Sequence, residues 1–224
     1  MGWEMTIPEA NAGFGSGDGN GNFEIPEPGN HVAAFVGLID LGSHEQSFEG
    51  NSTGYKRRVF LVWELLAENR KDGKPFFLGR EFTLSDHEKS ALRQWFEKWR
   101  CAKYKAGEKF DPSLALGNTC VLTVAHKSNR DGSRTYALVE NIGAVPKGLA
   151  APRKPSITPL AWQIPYAAEE RAKATPPANE WLPFSYGQPL EALIRVSPEW
   201  NGGATAAAHA APGGGDADDG PIPF

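Results

Sequence analysis

The chain has 224 residues, 40% of them hydrophobic, and a formal net charge of −4 at pH 7. This length and this hydrophobic fraction suffice for one substantial core. No apolar run approaches the roughly 20 residues that span a bilayer, and the N-terminus lacks the pattern of a secretory leader, so a soluble, cytoplasmic protein is expected. Cys101 and Cys120 lack C-x-x-C spacing, which argues against a zinc site or a disulfide framework.

The charge is unevenly distributed along the chain. Residues 1–50 carry −8, residues 51–160 carry +9, and residues 161–224 carry −5. A basic centre between acidic ends is typical of proteins that bind polyanions, but a solvated surface with uneven charge gives the same pattern. The charge alone therefore leaves both readings open.

The first half of the chain predicts three strands. Residues 1–23 are rich in Gly and polar residues, and we expect them to be flexible. Alternating or apolar runs then predict strands over 31–41, 55–67 and 75–85. Gly37 indicates a bulge in the first strand, and Asp72-Gly73 indicates a tight turn after the second.

A helix and a hairpin are predicted next. Ser85 and Glu88 form a capping-box pattern, which predicts a helix over 86–100. Its apolar face has helical spacing and consists of Leu92, Trp95, Phe96 and Trp99. Two further strands are predicted over 119–129 and 135–145, joined at Asp131-Gly132.

Three strands, a helix and two more strands are the element order of an OB-fold, a five-stranded barrel with a helix between strands three and four. The prediction is thus a mainly β fold with an OB domain over residues 24–150. A Pro-rich extension over 151–200, with a short helix near 190–196, is expected to pack on the barrel. Full exposure would be costly for its large aromatic residues, which are Trp162, Trp181, Phe184 and Trp200. Residues 201–215 are expected to be a flexible linker, and residues 216–224 an acidic tip.

The tip is the most specific motif. Three acids, Asp216, Asp218 and Asp219, are followed by Pro221 and by a C-terminal group consisting of Ile222, Pro223 and Phe224. This pattern resembles the tip of bacterial single-stranded DNA-binding proteins, and the resemblance implies recruitment of replication or recombination proteins. A terminal ring can fill an apolar pocket, and the acids can attract basic partners. The alternative is a solubilising acidic tail.

A second resemblance covers most of residues 24–200. The segments EIPEPGNHVAAFVGLIDLG, RRVFLVWEL, REFTLSDHEKSALRQWFEKWR, LGNTCVLTVAH and EALIRVSPEW are similar to a family of phage-encoded OB-fold single-stranded DNA-binding proteins. The resemblance implies single-stranded DNA as the ligand, and a phage-infected or prophage-bearing bacterial host.

Single-strand binders combine a basic groove with aromatic rings on which bases stack. OB-folds bind across strands two and three and between the loops after strands one and four. The candidate DNA-binding residues on these elements are Tyr55, Lys56, Arg57, Arg58, Trp63, Arg80, Phe82, Lys127, Arg130, Arg134 and Tyr136.

Each candidate has a structural alternative. Trp63 and Phe82 fit the interior of a small barrel as well as they fit a stacking surface. The triplet 56–58 is the strongest phosphate-binding candidate, since neighbouring strand residues point to opposite faces and Arg57 and Arg58 cannot both face the interior. The alternative is a rim of ordinary solvated charge. If the triplet binds phosphates, replacing all three residues with Ala should weaken binding to every oligonucleotide about equally and lower the salt slope, with hardly any change in melting temperature.

Catalysis has little support, and no cofactor or metal is expected. Ser52 lies in a G-x-S-x-G match, but that motif requires a preceding strand and a following helix. Two other functions stay open: a protein–protein adaptor with an OB-like barrel, and a metal-dependent nuclease or annealing protein. Glu64, Glu81 and Glu88 are the carboxylates considered for a nuclease metal site, but Glu64 lies on an alternating strand and Glu88 is explained as part of the helix cap, so structural roles are favoured. The sequence does not determine whether the chain forms a homo-oligomer.

Overall fold

A computed structural model describes residues 24–48, 51–105, 107–128, 132, 135–179, 181–183 and 188–202. Within these segments the protein is mainly β, with six strands in one sheet and three short α-helices. The mainly β prediction is therefore confirmed. None of the helices in these segments is both long and apolar enough to cross a bilayer.

The strands form one continuous path. Its members are β1 (Gly29–Phe48), β2 (Asn51–Asn69), β3 (Pro75–Thr83), β4 (Thr119–Ser128) and β5 (Thr135–Gly143). They are ordered β3-β2-β1-β4-β5, and each pair of neighbours is antiparallel. A short sixth strand, β6 (Leu160–Trp162), pairs in parallel with β1. The helices are α1 (Ala91–Arg100), α2 (Ala168–Lys173) and α3 (Leu190–Val196), and a 3-10 turn spans Pro112–Ala115.

The first two strands are longer than the apolar pattern predicts. Polar residues of β1 after Leu41 continue to pair with β2, and Ser43, for example, lies opposite Arg57. Backbone ladders need no apolar side chains, so hydrophobic periodicity underestimates such strands. The predicted bulge at Gly37 is confirmed, since the β1–β2 register shifts between Phe35 and Gly37. A Cβ at Gly37 would lie only 2.9 Å from the Cβ of Val62.

The sheet buries apolar side chains on both faces. Because successive strand residues alternate, Leu61 and Trp63 belong to one core while Phe60 and Val62 belong to the other. The first core packs against α1. The second core is completed by Ile164, Leu190 and Ile194, which belong to the chain after β5.

Buried carboxylates also connect that later segment to the strands. Glu64, which is fully buried on β2, accepts hydrogen bonds from the Arg153 guanidinium and from the backbone N–H of Ser156 (2.9 Å). Glu199 accepts a hydrogen bond from the backbone N–H of Ser43 (2.7 Å) and another from the Ser43 hydroxyl. Burial acts to raise the pKa of Glu199, but the bonds from Ser43 outweigh it, and the pKa lies below its ordinary value.

The prediction of the first helix start is wrong. Helix α1 begins at Ala91 rather than at residue 86, and Ser90 is its N-cap. The Ser90 hydroxyl accepts from the backbone N–H of Arg93 (3.2 Å) and donates to the carbonyl of Ser85 (2.9 Å). Ser85 and Ser90 both precede the apolar face, and the capping-box pattern assigned the N-cap to Ser85 instead of Ser90. The predicted helix over 190–196 is confirmed.

Candidate nucleic-acid interface

The basic segment of β2 pairs regularly with β1, with Tyr55 opposite Glu45, Lys56 opposite His44 and Arg57 opposite Ser43. Regular pairing places Tyr55 and Arg57 on one face of the strand and Lys56 and Arg58 on the other. Tyr55 is 40% exposed, and Lys56 is half-buried. Among the described residues, Lys56 has no hydrogen-bond or ion-pair partner.

Arg57 is bound within the protein. Its Nε and Nη2 donate to the two carboxylate oxygens of Asp40 (3.1 and 2.5 Å), and its Nη1 donates to the Tyr166 hydroxyl (3.2 Å). Burial acts to lower the pKa of Arg57, but the bonds and charge of Asp40 outweigh it and the pKa lies above its ordinary value. Arg57 is therefore charged and fixed in place.

Arg58 forms an ion pair with Glu81 of the neighbouring strand β3. Both side chains are mostly buried, with 22% and 9% of their surface exposed. The pair connects β2 and β3, so the Arg58 charge is already compensated in this structure. Arg57 and Arg58 are thus both ion-paired, whereas the ammonium group of Lys56 has no ion-pair partner among the described residues.

Arg80 bridges β3 and β5. Its Nη1 donates to the carbonyls of Val139 (2.7 Å) and Glu140 (3.2 Å). Its guanidinium carbon lies 4.5 Å from the centroid of the Trp95 ring and 5.2 Å from that of Phe82. These contacts give Arg80 a structural role in this conformation.

The aromatic candidates Trp63 and Phe82 both lie in the first core. Trp63 is fully buried and Phe82 is 6% exposed, and Trp95 packs against both rings. Both side chains therefore fill the interior, which is the structural alternative given for them above. Neither ring is exposed to a nucleobase. Alternation on a half-buried strand determines which face a residue lies on but not which face is solvated.

The second hairpin contributes a cation and a ring that are paired across its strands. Lys127 on β4 and Tyr136 on β5 are register partners, so their side chains share one face of the sheet. Lys127 is exposed and Tyr136 is half-buried. Arg130 and Arg134, the other candidates on this hairpin, lie outside the described residues, as do the tip residues Asp216, Asp218, Asp219, Ile222, Pro223 and Phe224.

Sequence reasoning missed Tyr166, which follows β6. Its side chain is one of the most exposed large residues in the described segments, at 69%, and its hydroxyl bonds to Arg57. Its only sequence signal was a Tyr that follows Ile164 and Pro165 just before the acidic residues of α2.

A separate groove of about 340 Å³ lies between α1 and the segment before β4. Its walls include the rings of Phe96, Trp99 and Tyr104, together with Leu114, which is 77% exposed. Two ion pairs lie at this groove, Arg100–Glu108 (2.7 Å) and Lys109–Asp111 (3.1 Å). The hydrogen bond that Arg100 donates to the Glu108 carboxylate raises the pKa of Arg100, and the Arg100 guanidinium packs over the Tyr104 ring at 4.3 Å.

The residues considered for catalysis are placed as follows. Glu64 binds Arg153 and Ser156, Glu81 pairs with Arg58, and Glu88 is exposed before α1. Ser52 lies within β2, so a strand rather than a helix follows it. The described segments contain no group of three His, Cys, Asp or Glu side chains arranged to hold a metal ion.

Comparison with known proteins gives no family assignment. No protein-family model matches this chain, and no curated protein sequence matches it.

Proposed function

We propose that this protein binds and protects single-stranded DNA with little sequence preference, and that its acidic tip recruits replication or recombination proteins. The setting that fits the resemblance is a phage-infected or prophage-bearing bacterium. The proposal places DNA binding in residues 24–150, with the extension over 151–200 packed against that domain and the tip tethered by residues 201–215.

We also propose that the sheet closes as an OB-type barrel. The order β3-β2-β1-β4-β5 leaves β3 and β5 as the two ends of the path. Arg80 on β3 donates to two carbonyls of β5, which brings these ends together. The position of α1, between β3 and β4 in the chain and against the first core, is that of the OB-fold helix.

The observation that carries the DNA proposal is the exposed ring of Tyr55 next to the half-buried Lys56 in the first part of β2. Tyr55 presents 40% of its surface, and Lys56 carries a charge that no described residue compensates. Lys127 and Tyr136 repeat the combination of cation and ring on the β4–β5 hairpin. Cations contact phosphates and rings stack on bases, which is the combination that sequence-tolerant single-strand binding requires.

Titration of the full chain with fluorescent oligo-dT at several salt concentrations tests this function. We expect tight binding that weakens steeply with salt, because phosphate contacts release counterions. A duplex of the same length should bind more weakly, since paired bases cannot stack on protein rings. Absence of oligo-dT binding, or binding that does not change with salt, would exclude the proposed function.

A second candidate function is a protein–protein adaptor, and the groove beside α1 favours it. An exposed Leu114 next to three aromatic rings is the kind of apolar surface that proteins use for partners. Leu114→Asp should then abolish partner binding and leave oligo-dT affinity unchanged. Partner binding that survives this substitution would exclude the groove as the adaptor site.

A further inference from the structure

The loop after β6 holds an exposed aromatic ring on an ordered backbone. The backbone N–H of Ile164 donates to the Asp40 carboxylate (3.1 Å), which fixes the start of the loop. Arg171 Nη1 donates to the carbonyls of Pro165 (3.1 Å) and Tyr166 (3.0 Å), which fixes its end. The ring between these anchors is nevertheless 69% exposed.

Arg57 orients that ring. Its guanidinium carbon lies 5.5 Å from the Tyr166 ring centroid, and its Nη1 donates to the Tyr166 hydroxyl. Because Asp40 binds the rest of the same guanidinium, Arg57 has little freedom to move. An exposed ring gains almost nothing from burial, so this arrangement is not explained by hydrophobic packing.

Tyr55 belongs to the same surface. It precedes Arg57 by two residues on a regularly paired part of β2, so the two side chains share a face about 7 Å apart. Arg57 therefore contacts one exposed tyrosine, Tyr166, and has a second, Tyr55, as its neighbour on the strand face. Two rings flanking one cation suit successive bases of a single strand.

We propose that Tyr166 stacks on a nucleobase of the bound single strand, so that the segment after the sheet supplies part of the DNA site. This inference rests on the proposed function. Arg57 acts as a positioning residue that holds the ring, rather than as a phosphate contact. A rigid, pre-oriented ring loses less conformational entropy on binding than a mobile one.

Comparison of the affinities for oligo-dT and for an abasic oligomer of equal length separates the contribution of base stacking from that of phosphate charge. Tyr166→Ala should weaken binding to oligo-dT about tenfold, as expected for one lost base stack. Its affinity for the abasic oligomer should match that of the wild type, and the salt slope should not change. Tyr166→Phe keeps the ring and should stay within about twofold of the wild type on both ligands.

Val196→Ala is the matched control, because Val196 is also strongly exposed (67%) after the sheet but lies at the end of α3. It should bind both oligomers as the wild type does, and the melting temperatures of all variants should agree. Equal losses on oligo-dT and the abasic oligomer, or no loss on oligo-dT, would overturn the stacking role while leaving the proposed function intact. Failure of the wild type to bind oligo-dT would overturn both.

Discussion

The carboxylate of Asp40 binds Arg57 through both of its oxygens, with Nε at 3.1 Å and Nη2 at 2.5 Å. The same carboxylate accepts the backbone N–H of Ile164. One side chain on β1 therefore holds a basic residue of β2 and the start of the loop that carries Tyr166. The Asp40 side chain is only 7% exposed, which makes this pair different from ordinary surface charge.

Asp40→Ala is expected to destabilise the protein by about 3 kcal/mol, because it leaves a largely buried guanidinium and the backbone N–H groups of Gly42 and Ile164 without their acceptor. Urea denaturation measures the loss. Asp72→Ala is the control, since the Arg70–Asp72 pair (3.4 Å) has a 42% exposed carboxylate and should change stability by less than about 1 kcal/mol. Similar losses for both variants would contradict the role assigned to Asp40.

Lys56→Ala is expected to weaken oligo-dT binding and to lower the salt slope by about one, with no change in melting temperature. Lys56 lacks a partner among the described residues, so its removal leaves no unpaired group behind. Lys89→Ala, an exposed lysine just before α1, is the control and should leave the slope unchanged. Equal effects of the two variants would mean that general charge, not this position, determines binding.

The structure changes the expectation for the whole triplet. Replacing Arg57 and Arg58 removes the partners of Asp40 and Glu81, so the triple alanine variant should unfold at a lower temperature. The unchanged melting temperature expected from the sequence assumes that none of the three side chains has a partner within the fold. Strand alternation shows that neighbours face opposite sides, but it cannot identify an acid 17 residues away on another strand.

The sequence predicted the order of the five main strands and of α1, because apolar periodicity and turn residues are local signals. It could not distinguish the buried ring of Trp63 from the exposed ring of Tyr55, since both lie on β2 and burial depends on what packs over each face. It also missed Tyr166, whose position beside Arg57 depends on contacts between residues more than 100 positions apart.

Acidification should destabilise the protein through Glu199. Its pKa lies below its ordinary value in the folded state, so its contribution to stability is present above pH 4.5 and is lost as the pH falls through the folded pKa. Glu199→Gln should therefore be less stable than the wild type at pH 6, and the difference should shrink near pH 3. Urea midpoints at both pH values measure this effect, and a constant difference would contradict it.

The acidic tip is expected to act independently of the DNA site. Deletion of residues 222–224 should abolish recruitment of replication proteins from a host lysate and leave oligo-dT affinity unchanged, because the apolar anchor is lost while the basic surface is intact. Phe224→Ala should reproduce most of this loss, since only screened charge remains.

Removal of the whole tip from Asp216 tests its charge in a different way. If the three tip carboxylates compete with phosphates for the basic residues at low salt, this deletion should raise DNA affinity slightly at low salt and not at high salt. For the recruitment experiment, a tip with the same residues in shuffled order is the matched control, because it keeps the charge of the tip and changes only the order of its residues. If the intact, shuffled and deleted forms all capture the same proteins, the tip is a solubilising tail and recruitment depends on another part of the chain.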